Sequence, residues 1–385
     1  IQFRYFNLTK SKIFDVIIVG GGLAGLTNAI HLSKFNQSVL LIEKNSYPKH
    51  KVCGEYVSNE VIPYLNFLGI DPIKEGAKKI TKVQISTTKG NLITGELPLG
   101  GFGMSRFFLD TLLLKKALFN GVIVLKDSVS SINYKNGIFL VRTKNSKSYK
   151  SKITIGAFGK RSELDQKMKR KFVQNKSPYL AVKLHVKGDF PDNMIGLHNF
   201  NGGYCGVSKV ENNSINLCYI TDYESFKKFK NISNFQKKVL YRNKHLKKIF
   251  EQSTSVFEKP LTISQVSFET KRPVENHIIM CGDTAGMIHP LCGNGMGMAI
   301  ISAKLASNLI LQFLNGEIKT REYLEKKYTK YWNKKFKQRL MTGHFIARLF
   351  RNMTISQFAY SILKMIPFLL TVIIKLTHGK KIKIV

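Results

Sequence analysis

The stretch DVIIVGGGLAGLTNAIHLSKFNQSVLLIE, residues 15–43, constrains the fold more than any other part of this chain. Apolar runs at 15–19 and 39–42 predict two buried parallel strands, with a glycine-rich turn and a helical pattern between them. Such a βαβ unit is typical of dinucleotide binding, because its helix N-terminus offers unpaired N–H groups and a positive dipole end to phosphates.

The glycines of the turn have G-x-G-x-x-G spacing. Gly20 permits a tight turn, Gly22 allows backbone to approach a pyrophosphate, and Gly25 permits close packing of helix on strand. Leu23 and Ala24, between the glycines, complete the phosphate-binding turn. These five residues are therefore predicted to bind the cofactor.

The second strand ends at Glu43, 18 residues after Gly25. An acidic side chain at this distance can accept hydrogen bonds from a ribose. Glu43 and the adjacent Lys44 are therefore further cofactor-binding candidates. The complete series of strand, turn, helix, strand and acid predicts a site for an ADP moiety.

A second glycine-rich segment, HIIMCGDTAGMIHPLCGNGMGMAI, occupies residues 277–300. Its first five residues predict a buried strand, which Gly282 and Asp283 follow. Gly293 and Gly295 open an apolar helix.

This segment resembles the GD motif of the flavoprotein superfamily that contains para-hydroxybenzoate hydroxylase and the geranylgeranyl reductases. The resemblance implies that Asp283 holds the ribityl chain of FAD. It also implies that the stretch from Pro290 to Gly295, followed by Met296, lies against the isoalloxazine ring. A helix N-terminus aimed at the flavin would favour the negative charge of its reduced form.

A third motif lies between these two. The sequence SRFFLDTLL contains Arg106, Asp110 and Leu113 and resembles the R-x-x-x-D-x-x-L helix of the same superfamily. The resemblance implies that Arg106 contacts the cofactor. Three motifs in this order indicate FAD as the cofactor.

Residues 153–162, ITIGAFGKRS, depart from the pattern of the superfamily, which has GADG where this chain has GAFG. In the hydroxylases the Asp helps to place both FAD and the nicotinamide cofactor, and here Phe158 replaces it. This weakens the case for direct reduction by NAD(P)H, which stays a candidate electron donor beside ferredoxin and flavodoxin.

The chemistry candidates lie in KVCGEYVS, residues 51–58. Its C-G-E resembles that of archaeal geranylgeranyl reductases, which implies that Cys53 and Glu55 lie beside the flavin ring as catalytic residues. The Cys53 thiol could donate a proton opposite the hydride, or it could simply fill space as a small buried side chain. Lys51 is predicted to meet a phosphate or the flavin, with an exposed lysine as the alternative.

The fold predicted from these motifs is α/β, with a Rossmann-like (GR2-type) FAD-binding domain. That domain is discontinuous, over 12–79, 100–176 and 272–320. Residues 80–99 and 177–271 would form an inserted, mostly antiparallel β-sheet substrate domain, and 321–385 a helical C-terminal region. Within the inserted domain, the Lys-rich stretch 225–252 is predicted to be a solvated helical face.

The five cysteines show no C-x-x-C or zinc-ligand spacing, so no metal site is expected and a reducing, cytoplasmic environment is favoured. The first 14 residues lack a continuous apolar run, which argues against a signal peptide. The net charge of +37 has two interpretations: the lysine-rich composition of a low-GC genome, or an anionic partner. The scattered lysines and the lack of a nucleic-acid-binding motif disfavour nucleic acid and leave an anionic membrane surface as the candidate partner.

The C-terminal region bears on the membrane question. Its longest apolar run, 365–374, has ten residues, whereas a spanning helix needs about 20. The run is predicted to be either a core helix or a monotopic segment at the inner face of the membrane. An apolar helical face just before it is formed by Phe345, Ile346, Leu349, Phe350 and Met353.

Two functions remain open. One is a reductase that transfers hydride from reduced FAD to a hydrophobic or carrier-bound unsaturated small molecule. The other is an FAD-dependent monooxygenase that hydroxylates an aromatic or polyene substrate. A halogenase of the tryptophan type needs a W-x-W-x-I-P element that a chain with one tryptophan cannot have. A basic scaffold or nucleic-acid-binding protein would have no reason to contain three FAD motifs.

Overall fold

The computed structural model describes residues 12–175, 178–229, 231–264, 266–351, 353–366 and 368–384. The strands are β1 (Ile13–Val19), β2 (Val39–Glu43), β3 (Tyr56–Ser58), β4 (Lys78–Ser86), β5 (Leu92–Gly103), β6 (Ile123–Lys126), β7 (Val129–Lys135), β8 (Ile138–Thr143), β9 (Ser148–Gly156), β10 (Tyr179–Lys187), β11 (Met194–Phe200), β12 (Gly203–Lys209), β13 (Ile215–Asp222), β14 (Thr254–Ser255), β15 (Leu261–Ser264), β16 (Val274–Glu275) and β17 (Ile278–Met280). The helices are α1 (Leu23–Lys34), α2 (Ile62–Phe67), α3 (Arg106–Phe119), α4 (Glu163–Lys167), α5 (Tyr223–Lys227), α6 (Ile232–Lys238), α7 (Lys244–Glu251), α8 (Gly295–Leu314), α9 (Arg321–Arg351), α10 (Met353–Met365) and α11 (Phe368–Thr377).

The first sheet confirms the predicted Rossmann-like arrangement. Its strand order is β16-β17-β9-β1-β2-β6, and β8 and β7 extend it as an antiparallel pair beside β9. The central strand β1 pairs in parallel with β2 on one side and β9 on the other. Both β1 and β2 are largely buried, as expected of parallel strands covered on both faces.

The second sheet is the predicted, mostly antiparallel one. Its order is β14-β10-β13-β12-β11-β4-β5-β3, with β15 beside β10, and among the described strands of this sheet only β4 and β11 pair in parallel. It extends beyond the segments predicted for it, because β5 continues to Gly103 and β3 adds Tyr56–Ser58 from the loop after β2. This exchange of strands brings residues 51–58 to the boundary between the two sheets.

The stretch 225–252 has the predicted solvated lysine face, but it also has a buried apolar face that the prediction did not include. It forms α5, α6 and α7 with a short turn between, and Phe235, Leu240 and Leu246 are fully buried against the second sheet. The lysines lie on the outer side, so these short helices are amphipathic and complete the core of the second sheet.

Helix α8 follows the glycine-rich segment and packs between α1 and α9. Its length and composition would suffice to cross a membrane, but 67% of its most apolar window is buried within the protein. The charged helix α9 turns Tyr328, Trp332 and Phe336 toward the core, at the i, i+4 and i+8 spacing of one helical face. Helix α8 is therefore a core helix of the first domain.

The C-terminal helices pack on the second sheet with one face. Leu363 and Leu370 are buried in a cluster with Ile80, Val83 and Ile93 of β4 and β5. The sequence also predicted an apolar helical face just before these helices. Two of its residues are described: Phe345 is exposed and Ile346 is partly buried. Leu349, Phe350 and Met353 lie outside the residues whose side chains the structure describes, and the first 11 residues and Pro367 lie outside the described chain.

Candidate functional site

A cleft between the two sheets contains about 1300 Å³ of empty space, counted to its open mouth. We call its two sides the glycine-rich wall and the strand wall. The glycine-rich wall is formed by Gly22, Leu23, Ala24, Arg106, Gly282, Asp283, Pro290, Gly293, Gly295 and Met296. The strand wall is formed by Cys53, Gly54, Glu55, Ala181, Gly206, Cys218 and Ile220.

The glycines of the first turn have two different roles: two of them allow close packing, and one leaves the cleft open. Gly20 has a φ of +105°, and a Cβ there would clash with the Ala157 carbonyl, while a Cβ at Gly25 would clash with the Gly20 carbonyl. A Cβ at Gly22, by contrast, would meet only Arg106 Nη2, at 3.6 Å. The turn therefore requires Gly20 and Gly25 for its own geometry and leaves Gly22 facing the cleft at the N-terminus of α1, where a pyrophosphate fits.

Glu43 and Lys44 do not line the cleft. Glu43 is buried behind the turn, and its Oε2 accepts a hydrogen bond from the Gly21 N–H at 2.7 Å. Its Oε1 accepts from the backbone N–H of Asn45 at 2.9 Å. The carboxylate thus holds the glycine turn and keeps lone pairs for a further donor, whereas Lys44 is exposed.

The motif of α3 forms a buried ion-pair cluster. Arg106 lines the cleft, and its Nε and Nη2 donate to the two oxygens of Asp110 at 2.8 and 2.9 Å. Lys51 Nζ donates to the same carboxylate at 2.8 Å and lies behind the wall. Burial raises the pKa of Asp110, but the charges of Arg106 and Lys51 outweigh it and hold that pKa below its usual range. Asp110 therefore orients the cation that the sequence assigns to the cofactor.

The second glycine-rich segment completes this wall. Asp283 follows β17 and lines the cleft beside Gly282. The first turn of α8, from Gly295, points its N-terminal dipole toward the same space. An open glycine turn, a half-buried carboxylate and a helix N-terminus are a donor and acceptor set that fits the phosphates and hydroxyls of FAD.

Among the residues of the strand wall, Glu55 has the most unusual environment. It is fully buried, with a φ of +55°, and its Oε1 accepts from the Arg106 backbone N–H at 2.7 Å. Lys183 Nζ forms an ion pair with Oε1, and His185 Nε2 lies 2.7 Å from Oε2. Burial raises the pKa of Glu55, but the hydrogen bond from His185 and the charge of Lys183 outweigh it and lower that pKa. Glu55 is thus held as a buried carboxylate at the edge of the cleft.

Sequence reasoning missed Lys183 and His185. They alternate with apolar residues along β10, a pattern that usually marks a solvent-facing side. Here the loop 51–55 covers that side, and Lys183 is 0% exposed. The signal was present, since a charged residue is rarely fully buried unless it is paired.

His50 extends this cluster toward the surface. Its ring stacks on Phe107 at 4.5 Å between centroids, and the ligand atoms of His50, Glu55 and His185 lie within 4.8 Å of one another. Burial, followed by the charges of Lys183 and His185, lowers the pKa of His50 to about 4. Although three such side chains could hold a metal ion, the Lys183 ammonium already occupies the carboxylate, and a divalent ion would face its charge.

The departure at Phe158 has a packing explanation. Phe158 is partly buried against apolar residues of both faces of the first sheet, while its neighbours Ala157, Gly159 and Lys160 line the cleft. The Gly159 N–H donates to Thr284 Oγ1 at 2.9 Å. Where the superfamily has a carboxylate acceptor, this chain has a phenyl ring that packs in the core. The backbone of the loop still lines the cleft.

Two family models each match part of the chain. The pyridine nucleotide-disulphide oxidoreductase model matches residues 14–174, and the squalene epoxidase model matches residues 224–353. A digeranylgeranylglycerophospholipid reductase of Methanosphaera stadtmanae is 24% identical over 344 residues, which cover 82% of this chain and 80% of the relative.

Solved structures share the fold. A flavin-dependent brominase superposes with a TM-score of 0.77 at 19% identity, over 95% of this chain and 93% of that one. A geranylgeranyl bacteriochlorophyll reductase-like protein from Thermoplasma acidophilum superposes with a TM-score of 0.71 at 19% identity, over 88% of each chain. With the glycine-rich wall and the three motifs in order, these findings indicate an FAD-dependent oxidoreductase that is similar to the superfamily containing para-hydroxybenzoate hydroxylase and the geranylgeranyl reductases.

Proposed function

We propose that this protein is a geranylgeranyl-reductase-like enzyme that reduces a C=C bond of a hydrophobic or carrier-bound substrate. The observation that carries the proposal is the position of Cys53, Gly54 and Glu55, which face the glycine-rich wall across one cleft. Bound FAD supplies the hydride in its reduced form. The residues of this chain supply the proton, the apolar surroundings and the orientation of the substrate.

The strand wall suits an apolar substrate. Beyond Cys53 and Glu55, it offers Ala181, Leu197 and Ile220 to the cleft. The name of the relative from Methanosphaera stadtmanae describes a reductase of a phospholipid with geranylgeranyl chains. An unsaturated lipid is therefore the first substrate class to test.

Cys53 is the proposed proton donor. The Asn216 Nδ2 donates to the Cys53 carbonyl at 3.2 Å and so fixes the loop against β13. A second thiol, Cys218, lines the same cleft, and burial, followed by the proximity of Cys53, raises its pKa to about 12. Cys218 is thus a matched control, because it is a thiol in the same space without the C-G-E context.

The test is a single turnover without oxygen. The holoenzyme is reduced with dithionite and mixed with a digeranylgeranylglycerophospholipid, and flavin oxidation is followed by absorbance. We expect Cys53→Ser to retain FAD and to slow this oxidation about a hundredfold, the usual size of a general-acid effect. Cys218→Ser should keep the wild-type rate. Equal rates in wild type and Cys53→Ser would mean that Cys53 only fills space.

A monooxygenase is the second candidate, and the match of residues 224–353 to the squalene epoxidase model favours it. In that case the reduced holoenzyme would not react with the lipid anaerobically. Adding ¹⁸O₂ would place labelled oxygen in the product, and Cys53→Ser would be tolerated. Parallel reductions with NADH, NADPH, reduced ferredoxin and reduced flavodoxin would identify the electron donor.

We also propose that the protein makes a peripheral contact with an anionic membrane, on the cytoplasmic side. Large apolar side chains are exposed around the last two helices, with Met365 at 81% and Phe368 at 67%, and Lys364 and Lys375 flank them. This combination of apolar and basic groups suits the interface of an anionic bilayer. Removing the whole C-terminal region would also remove buried Leu363 and Leu370, so surface substitutions test the idea better.

The liposome experiment compares Met365→Ser/Phe368→Ser with Phe119→Ser, which removes an exposed phenylalanine on α3 instead. We expect the double variant to lose sedimentation with phosphatidylserine vesicles, while Phe119→Ser binds like the wild type. Raised salt should weaken binding in part, because it screens the lysines but not the apolar contact. Binding that survives the double substitution would contradict the membrane contact at this surface.

A further inference from the structure

A second cavity lies between β5 and the end of α11. It contains about 1220 Å³ of empty space, counted to its open mouth. Its described lining consists of Tyr56, Leu97, Pro98, Leu99, Gly100, Ile374, Lys375, His378, Gly379, Lys380 and Lys381. Neither the sequence motifs nor the proposed chemistry assigns a role to this space.

The second cavity and the cleft adjoin at Tyr56, which lines both. On the cleft side, a Cβ at Gly293 would lie 3.2 Å from Tyr56 Cδ1. On the other side, the His378 ring stands edge-on to the tyrosine ring, with 6.1 Å between centroids. Tyr56 is therefore the side chain that the described linings of the two spaces share.

The charged side chains that line the second cavity are all positive. Lys375, Lys380 and Lys381 are all exposed at its edge, and no acidic residue occurs among the described lining residues. The nearby Glu60 is paired with Arg339 at 3.2 Å and contributes no free negative charge. The other lining residues are mainly apolar, so the cavity combines an apolar floor with a cationic mouth.

His378 adds a buried group with unused hydrogen-bonding capacity. Its Nδ1 lies 3.1 Å from Thr377 Oγ1 and 3.0 Å from the Ile374 carbonyl. Its Nε2 is buried without a hydrogen-bond partner among the described residues. A carbonyl oxygen can only accept, so Nδ1–H donates to Ile374 and Nε2 is left as an acceptor without a partner among the described residues.

Hydrogen bonds hold the lysine-bearing segment against the first domain. Asn294 Nδ2, from the glycine-rich stretch, donates to the Thr377 carbonyl at 2.9 Å. The Ile382 N–H donates to the Glu60 carbonyl at 2.9 Å. The mouth of the second cavity is therefore tied to Asn294, which lies between two residues of the glycine-rich wall, and to Glu60.

We infer that the second cavity binds the phosphate group of an amphiphilic substrate, whose apolar chain runs past Tyr56 into the cleft. Lys375, Lys380 and Lys381 attract the phosphate. The inference rests on the proposed lipophilic substrate and adds its anionic end group. It assigns selection of the head group to the C-terminal segment, apart from the residues that carry the chemistry.

The test measures binding to oxidised holoenzyme without turnover, so that a failure of hydride transfer leaves it unaffected. Dodecyl phosphate, below its micelle concentration, is titrated by calorimetry and by the flavin absorbance spectrum. Dodecanol, butyl phosphate and inorganic phosphate are the comparison ligands. We expect dodecyl phosphate to bind at least tenfold more tightly than each of these and to be the one that perturbs the flavin spectrum, since its chain reaches the cleft.

The variant Lys375→Gln/Lys380→Gln/Lys381→Gln should bind dodecyl phosphate on the order of a hundredfold more weakly, from about fivefold for each lysine. The matched control replaces three exposed lysines elsewhere, Lys115→Gln/Lys126→Gln/Lys147→Gln, and should bind like the wild type. Equal loss in the two triple variants would reduce the effect to net charge and overturn the inference. So would dodecanol or inorganic phosphate binding as tightly as dodecyl phosphate, or dodecyl phosphate binding without a change in the flavin spectrum.

Discussion

The glycine-rich wall and the strand wall face each other across one cleft, but they present different chemical groups to it. The first wall presents backbone, glycines and a helix N-terminus, and its turn is contiguous in sequence from Gly20 to Gly25. The second wall contains the buried carboxylate of Glu55, which Lys183, 128 residues away, pairs with from behind the lining residues. Binding by backbone requires shape, whereas a buried ion pair requires that every partner be in place. The two walls should therefore respond differently to comparable substitutions.

The largest expected difference comes from two glycines that line the cleft on opposite walls. Gly22→Val should abolish FAD binding and leave a folded apoprotein, because the branched side chain enters the space for the pyrophosphate. Gly206→Val should keep FAD, since a Cβ there meets only the Cys218 carbonyl, at 3.6 Å. Fluorescence titration with FAD and circular dichroism of each apoprotein measure the two effects. A fully flavin-loaded Gly22→Val protein would contradict the assignment of the glycine-rich wall.

The second prediction concerns the buried pair. Lys183→Met leaves the Glu55 carboxylate buried without its ammonium partner and should lower the free energy of unfolding by about 3–5 kcal/mol. The control is Lys144→Met, which breaks the exposed pair with Glu163, 2.9 Å apart, and should leave the free energy of unfolding nearly unchanged because solvent screens that pair. Urea denaturation of the two holoenzymes gives both values. Similar losses in the two variants would mean that the strand wall does not depend on its ion pair.

The same contrast explains what the sequence could predict. The first sheet, the glycine turn and the FAD motifs were all predictable, because each is a local pattern with one physical interpretation. The cluster of Glu55, Lys183 and His185 was not, since an alternating strand shows which residues share a face but not what covers that face. Likewise, the burial of Phe235 depends on the sheet above it, which the charge pattern of 225–252 does not reveal.

A third prediction uses a second buried lysine, Lys271, which supports the glycine-rich wall. Its Nζ donates to the carbonyls of Lys160 and Asp283, at 2.8 and 2.7 Å. Burial lowers the pKa of Lys271 to about 8, against the opposing charges of Asp283 and Asp165. The folded pKa lies below the unfolded value of about 10.5. The contribution of Lys271 to stability is therefore complete above 10.5 and is lost as pH falls through 8.

Between pH 8 and 10.5 the wild type should thus gain up to about 1.4 kcal/mol per pH unit from this group. Lys271→Met should remove that part of the slope, whereas Lys115→Met, at an exposed position, should keep it. Urea denaturation at several pH values compares the three proteins. An unchanged slope in Lys271→Met would show that burial does not lower the pKa of Lys271.

The smallest effect expected is at Asp283, where the glycine-rich wall uses a side chain instead of backbone. The half-buried carboxylate lines the cleft, while Lys271 binds its backbone carbonyl and not the carboxylate. Asp283→Ala should therefore leave the fold intact and weaken FAD about tenfold, the size of one lost hydrogen bond to a charged group. Asp283→Asn, which keeps an acceptor for a ribityl hydroxyl, should lose less. Equilibrium dialysis gives both affinities, and an Asp283→Ala protein that binds FAD like the wild type would mean that the glycine-rich wall binds FAD by backbone alone.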